Sequence, residues 1–336
     1  MDELDNYLLA VIAAFPLKRK SAFLFAVVTG KRTGQAVQDS HLFDVTPLFG
    51  CVPMLKQTNF DARLERLRKK GLLTIAEDGV GLLKEAEISF RTRFPYIDGF
   101  AYQNRTNSFF ERLLLVIQVL SNFKHGVKHY FPIVRDDVAQ LAVKYWLAGH
   151  LTESTKEVVR GRFYLELEEW LCEVNGALYV PRFSGGNYIG KTALQVAEEL
   201  GCTPWDYYFE WLNGLHYLFA KMTQNFPLLD TLMPNAVQGL TSSARKTWQL
   251  TEQGVSFEKL AVRRNLKEST IQDHIVEIAA TIPEFSVYSW VDRSTITAIS
   301  DRKWQSLKDI KQAFPTLDYF QIRLALIAKR SDMICS

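Results

Sequence analysis

Gly254-Val255-Ser256-Phe257-Glu258-Lys259-Leu260-Ala261-Val262-Arg263-Arg264-Asn265-Leu266-Lys267-Glu268-Ser269-Thr270-Ile271-Gln272-Asp273-His274-Ile275-Val276-Glu277-Ile278 is the stretch on which the fold turns. Gly254 is placed to end one helix, since glycine accepts the left-handed backbone that a helix end requires. Ser256 caps the next, where the first amides lack helical partners. Leu260 and Ala261 allow close helix contact, Asn265-Leu266 makes a turn, and Ile271, Ile275 and Ile278 recur at helical spacing to anchor a last helix. This order predicts a helix-turn-helix. In such a unit the last helix offers its N-terminal side chains, here Lys267, Ser269, Thr270 and Gln272, to the major groove while nearby cations grip phosphates.

The charges modify that expectation. The last helix carries Glu268, Asp273 and Glu277 and no Lys or Arg after Lys267, and carboxylates near phosphates are repelled. The cations gather on the preceding helix and turn, at Lys259, Arg263, Arg264 and Lys267. The module is therefore expected to hold a phosphate backbone or an acidic protein surface rather than to read bases.

Upstream, Thr231 to Ser243 loses helical periodicity and gathers Pro, Gly and Ser, which marks a linker and sets the helix-turn-helix domain at 240–336. From 91 to 239 the pattern is helical and defines a central domain. Phe109 to Leu120 reads as a buried helix. Val138, Leu141, Ala142, Tyr145 and Trp146, and then Leu165, Leu167, Trp170 and Leu171, repeat at helical spacing and are expected to face inward. The aromatic run Trp205, Tyr207, Tyr208, Phe209, Trp211, Tyr217 and Phe219 has the same spacing and reads as core rather than as a platform for bases. In 1–90, Asn59 to Gly71 has a helix pattern with Asn59 as N-cap and Gly71 as C-cap. Two short apolar runs around Glu77-Asp78-Gly79 then signal a hairpin. A helix followed by a small hairpin predicts a winged-helix-like domain, with Arg63, Arg66 and Lys70 on the face opposite Leu64 and Leu67, where they could follow a phosphate backbone. The expected fold class is mainly α.

Composition excludes several classes. The 336 residues are 47% hydrophobic and 23% charged, with a net charge of only +3, so charge alone does not announce a nucleic-acid binder. Its distribution is informative: 14 Lys and Arg stand against 10 Asp and Glu between 241 and 330. The four cysteines form no C-x-x-C pair, so neither a zinc site nor a disulfide framework is indicated. The acidic start Met1-Asp2-Glu3 does not fit a signal peptide, and no apolar run approaches a membrane span. A cytoplasmic protein without metal or cofactor is expected.

Gly185-Gly186-Asn187-Tyr188-Ile189-Gly190-Lys191-Thr192 satisfies the phosphate-loop pattern G-x-x-x-x-G-K-[ST], in which backbone amides ring a phosphate, Lys neutralises it and the hydroxyl holds magnesium. Pro181 breaks the strand that should precede it, and no second nucleotide-binding element follows. The competing reading is a Gly-rich turn into a helix. His125 and His129 have the spacing of zinc ligands on a helix, but Glu is missing from the H-E-x-x-H position and Gly126 weakens the helix. No Ser, Cys or paired carboxylate accompanies the other histidines in a catalytic pattern, and no enzyme activity is expected.

Gly254-Val255-Ser256, Leu260 to Arg264, Leu266 to Ile271 and His274, with the later stretch Asp318 to Leu326, resemble the helicase helix-turn-helix domain found in C-terminal extensions of RecQ-type helicases. Over its full length the chain resembles the YpbB-type family of Gram-positive bacteria, through Thr29-Gly30-Lys31-Arg32-Thr33, Gln38 to Phe43 and Leu115 to Ser121. That resemblance implies association with a RecQ-like helicase. The expectation is a non-enzymatic accessory protein that binds DNA, the helicase, or both, in DNA repair or recombination. A helix-turn-helix transcriptional regulator, and an ATP-binding protein using Gly185 to Thr192, are the alternatives.

Overall fold

The computed structural model describes residues 1–83 and 89–334, and the fold is mainly α. The N-terminal segment forms α1 (Glu3–Ala13), α2 (Ser21–Thr29), α3 (Gly34–Leu42), α4 (Gln57–Lys69) and a hairpin of β1 (Leu73–Ala76) and β2 (Gly79–Leu82). The short turns α5 (Phe90–Arg93) and α6 (Gly99–Tyr102) lead to α7 (Thr106–Lys124), α8 (Asp137–His150), α9 (Lys156–Glu173), α10 (Ala193–Glu199), α11 (Pro204–Asn225) and α12 (Pro227–Asp230). The C-terminal segment forms α13 (Ser242–Glu252), α14 (Phe257–Arg264), α15 (Glu268–Thr281), α16 (Arg293–Ser300), α17 (Leu307–Ala313) and α18 (Tyr319–Ile334). Among the described residues no helix is long and apolar enough to cross a membrane.

Contacts gather these elements into two compact units that do not follow chain order. One comprises Met1–Tyr7, Ile88–Ile97 and Asn104–Pro234; the other comprises Leu8–Glu87, Asp98–Gln103 and Asn235–Ser336.

In the first unit α7 packs on α8 and α11, and α10 and α12 pack on α11. α11 starts with a capping box: the Thr203 hydroxyl accepts from Asp206 N and the Asp206 carboxylate accepts from Thr203 N, each at 3.2 Å, with Pro204 in the first turn, so otherwise orphaned amides are satisfied. Its aromatic run supplies the core: Tyr207, Phe209, Trp211 and Phe219 are buried. Trp170 Nε1 donates to Gly214 O at 3.1 Å and Tyr179 Oη donates to Trp211 O at 2.7 Å. Gly214 is required there, because a Cβ would stand 2.2 Å from Tyr179 Oη. α7 is buried as expected through Phe109, Phe110, Leu113 and Leu120.

Two helices depart in part from the sequence expectation, although Trp146, Leu167 and Trp170 are buried as expected. On α8 the inward residues are Ala139, Val143 and Trp146, while Val138, Leu141 and Tyr145 are exposed. Trp146 sets that rotation by donating Nε1 to Thr231 Oγ1 at 2.6 Å and stacking on His150. On α9, Phe163, Glu166, Leu167 and Trp170 point inward and Leu165 is exposed. Glu166 is the unusual member. Its buried carboxylate accepts from Leu228 N at 2.9 Å, Leu229 N at 3.0 Å and Arg162 Nε at 2.8 Å, which satisfies the first amides of α12.

In the second unit α4 packs on α2 and β1, burying Phe60, Leu64 and Leu67. The helix begins at Gln57 rather than after Asn59, since Asn59 N and Phe60 N both donate to Lys56 O and make Lys56 the N-cap; it closes at Gly71 (φ 69°), where Leu72 N donates to Leu67 O. Ala76 pairs with Gly79, leaving Glu77-Asp78 as the turn. Arg19 and Val80 exchange both backbone hydrogen bonds beside this hairpin, and the Arg19 guanidinium sits over Phe15, Phe23 and Phe43 while pairing with Asp39 at 3.2 Å. The α2–α4 helices and the hairpin are winged-helix-like.

The helix-turn-helix forms with Gly254 and Asn265 as its punctuation, while Ser256 stands at the N-cap of α14 without a side-chain capping bond. Gly254 (φ 78°) follows α13, and Asn265 (φ 50°) turns the chain after α14, with Leu266 N bonded to Ala261 O. α15 packs on α13 and α18, so Ile271, Ile275 and Ile278 are buried, as are His274, Val276, Glu277 and Ala279. The Glu277 carboxylate accepts from Thr241 N at 2.6 Å and Thr241 Oγ1 at 3.0 Å, while Thr241 caps α13 through Ala244 N. Arg264 Nη1 donates to Ser243 O at 2.8 Å and Thr247 Oγ1 at 2.6 Å, and Thr247 Oγ1 lies 2.9 Å from His274 Nδ1. The Thr247 hydroxyl thus joins Arg264 and His274 in one network.

Two outcomes follow. Glu166→Ala leaves two amides without their acceptor and lowers the unfolding free energy by about 2–4 kcal/mol, read from urea denaturation. Burial and the Arg264 charge hold the His274 pKa below its ordinary 6.5, against the smaller opposing pull of Asp273. The unfolded chain therefore takes up this proton first, so the stabilisation is complete above about pH 6.5 and is lost as pH falls below it. Urea midpoints should drop between pH 7 and pH 5, and His274→Gln should flatten that dependence.

Candidate nucleic-acid interface

The backbone of α14 divides its side chains between two tasks. Leu260 faces the core, and Arg264 is held by Ser243 and Thr247. Lys259, Val262 and Arg263 face solvent, and Lys267 is exposed at the N-cap of α15. No ion pair among the described residues involves Lys259, Arg263 or Lys267. Three of the four cations expected in this cluster thus share the exposed rim, and the fourth, Arg264, fastens α14 to α13.

α15 presents little beyond its first turn. Glu268 and Ser269 are exposed, and Thr270 and Gln272 are half-buried. Asp273 is exposed but ion-paired with Arg323 at 2.7 Å, and from His274 to Ala279 the helix is buried. Packing of α13 and α18 causes this closure and leaves the first turn of α15, with Gln272 and Asp273, as its open part.

On α4, Arg66 and Lys70 are exposed and Arg63 is half-buried, away from the buried Leu64 and Leu67. Arg68 makes two bonds to the Glu65 carboxylate, at 2.8 and 2.6 Å. Glu77 and Asp78 form the hairpin tip, where the Lys18 ammonium at 2.8 Å keeps the Asp78 carboxyl below its ordinary pKa and Lys20 Nζ donates to Glu77 O, so two cations stand against the two carboxylates.

Sequence reasoning missed a cleft of about 280 Å³ beside α15, lined in part by Arg32, Gly34, Asp273, His274, Glu277 and Arg323. Arg32 Nη1 donates to Thr281 Oγ1 at 2.5 Å and Nε to Gln103 Oε1 at 3.2 Å, and its guanidinium lies 4.5 Å from the centre of the Phe100 ring. Two arginines there meet two carboxylates, so the cleft has no net preference for an anion. No local pattern announces these partners, which are distant in sequence.

Gly185 to Thr192 does not build a phosphate loop. The 3₁₀ turns Gly176–Leu178 and Val180–Arg182 precede it where a strand is needed. Gly185 and Tyr188 bond to each other, Lys191 Nζ pairs with Glu199 at 2.5 Å, and Thr192 caps α10 in a capping box with Gln195. Lysine and hydroxyl, the two groups that should meet phosphate and magnesium, thus have structural partners. His125 Nδ1 is bonded to Ser121 O at 2.8 Å. Among the described residues there is no group of three or more His, Cys, Asp and Glu side chains able to hold a metal ion.

Comparison with known proteins agrees with this construction. A family model described as a helix-turn-helix domain matches residues 243–326. Protein YpbB of Bacillus subtilis (strain 168) is 30% identical over 329 residues, covering 92% of this chain and 92% of that protein. No solved structure matches. With that identity sustained across nearly the whole length of both proteins, the chain belongs to the YpbB family.

Proposed function

We propose that the protein is a non-catalytic, DNA-associated accessory factor that works with a RecQ-like helicase in repair or recombination. The observation that carries the DNA contact is the exposed rim of Lys259, Arg263 and Lys267 beside an α15 that offers only its first turn. Cations at such a rim hold phosphate without sequence information, and base discrimination needs side chains seated in the groove. Ser269, with half-buried Thr270 and Gln272, supplements the grip at the α15 N-terminus, and Arg63, Arg66 and Lys70 on α4 provide a second set of cations. Arg264 acts by positioning α14. The helicase is inferred from the likeness of the C-terminal module to the domain that RecQ-type helicases carry. A transcriptional regulator is disfavoured by the buried middle of α15.

Duplex binding by the wild-type chain should be similar across sequences and fall steeply with salt. Replacing Lys259, Arg263 and Lys267 one at a time by Ala should weaken all duplexes alike and lower the salt slope by about one for each residue. A preference of about a thousandfold or more for one duplex sequence at physiological salt identifies a regulator instead. Tagged protein recovered from its native cell should bring down a RecQ-like helicase. Recovery without any helicase or repair protein contradicts the accessory role.

A further inference from the structure

Two segments of the unit that contains α7 to α12 have no part in this reading: the loop joining α7 to α8 and the glycine turn before α10. They adjoin. Asn122 Oδ1 accepts from Gly186 N at 2.8 Å, and Gly186 lies so near the His125 ring that a Cβ there would stand 3.1 Å from it. Between α7 and the glycine turn lies a cleft of about 390 Å³, with Ile117, Pro181 and Phe183 among its apolar lining and Ser121, Tyr188 and Lys191 among its other lining residues.

The two adjoining stretches carry side chains of two kinds. Lys124, Lys128, Arg135 and two histidines occupy the stretch from Phe123 to Arg135, and Lys191 lies in the stretch from Ser184 to Thr192; neither stretch contains Asp or Glu. The carboxylates that follow, Asp136 and Asp137, stand at the start of α8, where Asp136 caps Ala139 N at 2.7 Å. Lys191 is engaged by Glu199 and is left out of the cationic set. The same stretches hold Phe123, Tyr130, Phe131 and Tyr188, all exposed, with Phe131 at 94%.

Phe131 is held in that position. Gln118, buried on α7, donates Nε2 to Phe131 O at 3.0 Å and accepts from Ile133 N at 2.9 Å, so its amide fixes the backbone on both sides of Pro132, whose own φ is restricted by its ring. A polar side chain drawn from the core anchors a loop whose aromatic ring projects into water, an arrangement that folding alone does not require. Exposed rings interleaved with cations, in stretches that contain no Asp or Glu, match the combination that takes single strands: bases stack on the rings and phosphates meet the cations.

We propose that this surface binds single-stranded nucleic acid, with Phe131 and Tyr188 as stacking platforms and Lys124 and Lys128 as phosphate contacts. The proposal rests on the DNA-associated reading above and assigns it a second, single-strand site in the other unit. The test uses the full chain with a labelled oligothymidylate and, separately, a labelled duplex. Phe131→Ala should weaken oligothymidylate binding about fivefold or more, Phe131→Trp should retain it, and Lys124→Ala with Lys128→Ala should weaken it and reduce its salt dependence. Duplex affinity should be unchanged in these variants, and Lys259→Ala with Arg263→Ala should show the reverse pattern. Wild-type protein that binds no oligothymidylate at low salt overturns the proposal, as do loop variants that bind it like wild type. Loop variants that lose only a protein partner assign the surface to protein instead and also overturn it. Failure of the duplex reading registers independently, in the Lys259 and Arg263 variants.

Discussion

The buried carboxylate of Glu277 at the N-terminus of α13 is the contact on which the C-terminal half of the molecule depends. It accepts from the amide and hydroxyl of Thr241, and negative charge is favoured where a helix exposes its first amides. Because the acceptor comes from the third turn of α15, capping α13 and burying α15 are one event. Arg264 repeats the arrangement from the other side by reaching from the end of α14 to Ser243 and Thr247, and through Thr247 to His274. The three helices are therefore fastened by polar groups that must all be satisfied together, since an unpartnered buried charge costs several kcal/mol.

That fastening determines what the module offers to a ligand. The residues that could have lined a long reading face, His274 and Glu277 among them, are used to hold the module together, and α18 covers the helix further. The free cations remain on α14 and the turn, displaced from the helix that would enter a groove. The same economy of position recurs in the other unit, where Gln118 and Glu166 project from helices to bind backbone groups of distant segments.

Much of the C-terminal module was legible in the sequence because its signals are local. Gly254 and Asn265 terminate helices through backbone conformations that few residues accept, and Ile271, Ile275 and Ile278 mark an inward stripe at helical spacing. The hairpin at Glu77-Asp78-Gly79 and the aromatic core of α11 were legible for the same reason. α8 was not: Val138, Leu141 and Tyr145 have as good a helical spacing as Ala139, Val143 and Trp146, and only the tertiary partner of Trp146, Thr231, decides between the two faces. Arg264 could not be separated from Lys259 and Arg263 by charge, since its partners lie on another helix. The letters of Gly185 to Thr192 failed because a phosphate loop is a strand, a loop and a helix, and the preceding backbone is 3₁₀.

The central claim is that the exposed rim of α14 and its turn, rather than the length of α15, meets DNA. Hydrogen exchange of the full chain with and without duplex tests it residue by residue. Binding should slow exchange at Phe257 to Thr270, with the amides from Ile271 to Ala279 unaffected because that part of the helix is already buried. Protection of Ile271 to Ala279 on binding, with Phe257 to Lys267 unchanged, would contradict the account.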